Sequence, residues 1–150
     1  MMSPSRRALL KSIDREKILA AIRDAEHRTS GEIKVSVSRY FWGNVRKVAD
    51  RAFVRLGVSG TRDRNGILFF IVPSRRSFAV LGDEGIHARV GQEFWDSLAA
   101  ILSEEFRKGA FTEGLVRAIA AAGEKLAVHF PYDSEKDVNE LPDDVDFCSR

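Results

Sequence analysis

Five side chains in three separated stretches offer oxygen donors for a hard cation: Glu32, then Asp63 and Asn65, then Asp83 and Glu84. Such groups suit calcium, which takes six to eight oxygens including backbone carbonyls and water. They can act together only if folding brings their segments to one edge. The simpler alternative is that Asp63, Asn65 and Asp83 bond their own turns, while Arg62, Arg64 and Arg89 pair with the acids at the surface. A second set interleaves cations and rings: Arg39, Tyr40, Phe41 and Trp42, with Arg75 and Arg76. It could form a basic aromatic surface for an acidic peptide, a phosphate or a single strand. No basic helix or nucleic-acid module accompanies it, so the expectation is a protein partner and no nucleic acid.

Other chemistry is poorly supported. His27, His87 and His129 lack the i, i+4 pairing of a helical zinc site. Gly57-Val58-Ser59-Gly60 has the wrong glycine spacing for a nucleophile elbow, and no glycine-rich phosphate loop is present. Cys148 lies in the acidic tail, without the basic environment that would activate a thiolate. Asp133, Glu135, Asp137, Asn139 and Asp144 mimic the ligand order of a calcium loop, but Val138 replaces the required glycine and Pro142 intrudes.

These residues need a scaffold, and 150 residues with 44% apolar and 31% charged content suit one globular domain. One cysteine excludes an intrachain disulfide framework. The longest apolar run, Ile67 to Val72, falls far short of the roughly 20 residues of a membrane span. The basic residues at the start are not followed by an apolar stretch of the roughly 7–15 residues that a secretory signal needs. The expected location is cytoplasmic, with any membrane association through a partner. Charge is uneven: residues 131–150 carry seven acids against Lys136 and Arg150, a net −5, so residues 1–130 carry +7 of the total +2. This acidic tail reads as mostly irregular, docked through Leu141, Val145 and Phe147.

Asp14 can cap a helix that places Ile18, Ile22 and Ala25 on one face. Glu32 to Arg39 alternates, predicting a strand with one wetter face. Asn44 caps an amphipathic helix through Leu56, ended by Gly57. Gly66 to Val72 is continuously apolar, which predicts a strand buried on both faces. Ser74-Arg75-Arg76 turns the chain into a third strand, Ser77 to Leu81, and Gly82 to Gly85 forms the next turn. Two helices follow, divided at Gly109, with Thr112 as a cap for the second and a small-residue stripe allowing close packing. The order α-β-α-β-β-α-α predicts a mixed sheet of three to four strands between helical layers, with strands one and two parallel and three antiparallel to two. Glu32, Arg62 to Asn65 and Gly82 to Gly85 then share one edge, while Arg39 to Trp42 and Ser74 to Arg76 share the other.

Several strings in this order resemble the TPM domain, the family named after thylakoid lumen, photosystem II repair and acetylcholine-receptor-modulating proteins. They are Thr29-Ser30-Gly31-Glu32-Ile33, Arg64-Asn65-Gly66-Ile67-Leu68, the Gly82 to Gly85 turn, and Phe106-Arg107-Lys108-Gly109-Ala110-Phe111-Thr112-Glu113-Gly114-Leu115. The resemblance runs from about Ile18 to Phe130. It extends to small bacterial TPM-like proteins described as membrane proteins, through the tail string Asp137 to Asp143. It implies a three-layer α/β/α sandwich, with residues 1–130 as one TPM-like domain. It also implies calcium or another divalent cation in some members and a disputed acid phosphatase activity. The family often has Asp-Asn-Gly where this chain has Arg64-Asn65-Gly66. The expected role is an interaction or accessory module, with the divalent cation as an optional ligand. The alternative is a phosphomonoesterase with the ion at Glu32, Asp63, Asp83 and Glu84, assisted by His87 or Arg89, which leaves catalysis open.

Overall fold

The computed structural model describes residues 13–38, 43–132 and 144–148, apart from the side chain of Cys148. The expected three-layer sandwich is present. Its central sheet comprises β1 (Glu32–Ser38), β2 (Gly66–Val72), β3 (Ser77–Gly82) and β4 (Val145–Cys148), in the order β3-β2-β1-β4. β1 runs parallel to β2 and β4, and β3 is antiparallel to β2.

The continuous apolar run of β2 has the predicted consequence. Ile67, Phe69 and Ile71 enter one core with Ile33, Val35 and Val37, while Leu68, Phe70 and Val72 enter the other. The first core is covered by α1 (Arg15–Glu26), α4 (Gln92–Arg107) and α5 (Phe111–His129). The second lies beneath α2 (Val45–Arg55). A short α3 (Glu84–His87) occupies what the sequence presents as a turn, because the Asp83 carboxylate caps it by accepting from the Glu84 N–H at 2.8 Å.

Asp14 and Asn44 cap α1 and α2 as expected, accepting from Lys17 and Lys47 at 3.2 Å. The small-residue stripe on α5 also has its expected effect: a Cβ on Gly123 would lie 2.7 Å from that of Ala25 on α1. Thr112 departs from expectation. α5 starts at Phe111 without a side-chain cap, and the Thr112 hydroxyl instead accepts from the Asp14 N–H at 2.9 Å, joining the start of α5 to α1.

The tail contributes more order than its composition suggests. Val145–Cys148 pairs with Val35–Ser38, making β1 an interior strand, and Val145 enters the main core. The face of β1 expected to be wetter is buried at Lys34, Ser36 and Ser38. Lys34 and Ser36 stand in register with Leu68 and Phe70 of the core beneath α2, and Asp146 of β4 meets the Ser36 hydroxyl there. Leu141 and the Asp133 to Asn139 part of the calcium-loop mimic lie outside the described residues. Among the described residues, no helix is long and apolar enough to cross a membrane.

Candidate functional site

Folding brings the three donor-bearing segments to the amino ends of β1 and β2. The Glu32 N–H donates to the Asn65 carbonyl at 3.4 Å, and the Asp83 N–H donates to the Gly66 carbonyl at 3.0 Å. A third link, from the Gly85 N–H to the Arg64 carbonyl at 2.9 Å, closes the neighbourhood. Gly85 permits this approach because a Cβ there would press on the carbonyl oxygens of Asp63 and Arg64, lying 2.6 Å from the latter. Thr61 shapes the same loop: its carbonyl accepts from the Arg64 N–H, and its hydroxyl accepts from the Asn65 N–H.

Arg64 supplies the dominant electrostatic interaction. It adopts a left-handed backbone conformation, φ 52°, uncommon for a non-glycine residue. Its guanidinium grips the buried Asp83 carboxylate in a fork, Nε to Oδ2 at 2.7 Å and Nη2 to Oδ1 at 2.9 Å. Hydrogen bonding to Asp83, followed by its charge, raises the Arg64 pKa. Nη1 also lies 3.6 Å from exposed Glu84, and Asp63 pairs with Arg62 at 3.5 Å.

The expected donors thus share an edge, but they do not form a ready cation cage. Asp83 spends one oxygen on Arg64 and the other on both Arg64 and the Glu84 amide. Arg62 and Arg64 bring positive charge to the remaining acids. Among the described residues, no group of three or more His, Cys, Asp or Glu side chains is arranged to hold a metal ion. In this arrangement the donor set does not fit a resident divalent cation. Glu32 and Asn65 are buried, and one oxygen of each, Oε2 and Oδ1, accepts no hydrogen bond, although Glu32 interacts elsewhere. The Asn65 amide nitrogen reaches the Ser30 hydroxyl at 3.4 Å.

Beside these loops lies a cleft of about 500 Å³, lined by Ser30, Asp63, Gly85, Arg89, His129 and Phe130 among others. The Phe130 carbonyl accepts from the Ser30 N–H at 2.9 Å and from the Thr29 hydroxyl, fastening the end of α5 to the start of β1. Arg89 stands 5.5 Å above the Phe130 ring. His87 points its chemistry elsewhere, with its ring 5.0 Å from Trp95. The sequence reading missed Ser30, His129 and Phe130 as cleft residues because about a hundred residues separate Thr29 from its bridge partner Pro131.

At the opposite edge, Arg39, Tyr40, Phe41 and Trp42 lie outside the described residues. Arg75 and Arg76 donate to the Gly43 and Arg107 carbonyls at 3.1 and 2.8 Å. Their side chains therefore tie the β2–β3 turn to neighbouring elements.

The family model for the TPM domain matches residues 5–125, which hold β1, β2, β3, the Gly-flanked turn and the linker between α4 and α5. The chain belongs to the TPM domain family. The NMR structure of BA42 protein from the psychrophilic bacterium Bizionia argentinensis is 34% identical, with a TM-score of 0.84, covering 93% of this chain and 94% of that one. The N-terminal domain of cg2496 protein from Corynebacterium glutamicum shares the TPM domain's fold here at TM-score 0.59 and 12% identity, covering 90% of this chain and 78% of that one. The comparison with curated proteins gives no match. Within this TPM domain, Arg64 places a positive charge at the loop edge, immediately before Asn65-Gly66.

Proposed function

We propose that this TPM domain is an interaction or accessory module that meets a protein partner through the loop-edge cleft. The carrying observation is the division of labour among charges: Asp83 is committed to Arg64, while Asp63 and Arg89 line the open cleft. An acid and a cation beside Phe130 suit a partner surface with polar contacts around an apolar centre.

The test is capture with wild type, Asp63→Lys and Arg89→Glu in parallel, each checked for folding by circular dichroism. Loss of the same bound protein in both folded variants supports the cleft as the contact; unchanged capture overturns it. A second reading, phosphomonoester hydrolysis with calcium or another divalent cation, draws support from Asn65 Oδ1, a buried acceptor without a hydrogen bond. It requires Arg64 to leave Asp83. Enzyme-dependent phosphate release from p-nitrophenyl phosphate that needs added calcium or magnesium, and disappears in Asp63→Asn, favours this second reading; background rates with both ions favour the first.

A further inference from the structure

The outer edge of β1 has an occupant whose attachment differs from that of the other strands. Four residues of β4 pair with Val35–Ser38, with Val145 opposite Val35 and Asp146 opposite Ser36. Alternating side chains divide the work: Val145 and Phe147 pack on the main core, while Asp146 accepts from the Ser36 hydroxyl at 2.8 Å and from Arg55 at 2.9 Å. Just before the strand, Asp144 accepts from Arg15 Nε and Nη2 at 3.1 and 2.6 Å. The two arginines come from α1 and α2, on opposite faces of the sheet. The matched family residues end at 125, before this strand begins.

We propose that the β1 edge is a strand-acceptor site for a partner's short acidic segment in which acids alternate with apolar residues, and that β4 fills this site in cis. Backbone pairing supplies affinity without regard to sequence, whereas the apolar pocket and flanking arginines supply selectivity. Asp-Val-Asp-Phe, residues 144–147, is the template of the pattern. A partner segment in trans must compete with a strand carried on the same chain, whose pairing is an intramolecular event. This site is separate from the loop-edge cleft and stands whether or not that cleft binds a partner.

The probe is a fluorescent peptide spanning residues 143–149 with C148S, titrated into full-length protein. Val145→Asp places a charge in the core and should release β4. Expected results are weak binding to wild type, at least tenfold tighter binding to folded Val145→Asp, and loss of that gain when Arg15→Glu and Arg55→Glu are added. A peptide with both Asp144 and Asp146 replaced by Lys should not bind. Equal binding of that peptide, or no gain in the folded variant, overturns the proposal. If Val145→Asp does not fold, amide exchange of wild type decides: β4 amides should exchange at least a hundredfold faster than those of β2, and equal protection would show that the acceptor edge never opens below global unfolding.

Discussion

Two arginine–aspartate contacts in this molecule have the same chemistry and different consequences. At the loop edge, Arg64 grips a carboxylate that is 5% exposed, nineteen residues along the chain and already fixed as a helix cap. At the strand edge, Arg15 and Asp144 are 42% and 52% exposed and 129 residues apart. The first contact holds a loop whose backbone is independently bonded. The second latches a short terminal strand across water-facing surface. Burial and backbone connection, more than the ion pair itself, decide which contact is part of the fold's foundation, since exposed pairs contribute little on their own.

The sharpest way to break this contrast is at Gly85. Gly85→Ala puts a methyl group against two backbone carbonyls and should cost about 1–3 kcal/mol, read by urea unfolding. A neutral result would mean that the loop edge yields as easily as the strand edge. Asp83→Ala should cost at least the ~0.5–2 kcal/mol of a lost helix cap, with β4 protection in amide exchange unchanged. Asp144→Asn should leave the urea midpoint nearly unchanged, while speeding exchange at β4 alone. The smallest effect is with pH. The hydrogen bond from Arg15 holds the Asp144 carboxyl below its usual range, against the opposing effect of burial; Lys34 and the Val145 N–H also lower it. A depressed folded-state pKa gives stabilisation that is present above the unfolded value of about 3.9 and is lost as pH falls through the folded value. Protection at β4, relative to intrinsic exchange, should therefore fall on acidification below about pH 4, with Asp144→Asn removing the part of the response due to that group. Asp146, facing Arg55 and Ser36, is the neighbouring acid in the same latch.

The contrast also explains what could be read from the sequence. Helix caps at Asp14 and Asn44, the double-faced burial of Gly66–Val72 and the gathering of residues 32, 62–65 and 82–85 follow from local chemistry and a parallel crossover. β4 was hidden because its four residues sit in a strongly acidic tail, and their pairing depends on Arg15 and Arg55 far away in sequence. The role of Thr112 was misread because its hydroxyl accepts from the backbone N–H of Asp14, the cap residue of a neighbouring helix. At the site, the acids were legible and Arg64 was visible as a competing charge, but its fork onto Asp83 depends on a left-handed backbone that spacing alone does not reveal.

The claim that Arg64 occupies the electrostatic role open to a cation is tested most directly by calcium titration of the melting temperature, with wild type beside Arg64→Asp. Aspartate tolerates the left-handed conformation and sets an Asp-Asn-Gly order at the entrance to β2. The expected result is a flat response for wild type and a rise with the logarithm of calcium concentration for Arg64→Asp, the equivalent of about 2.7 kcal/mol at a hundred times the dissociation constant. A rise of that form in wild type that Arg64→Asp does not increase would contradict the account.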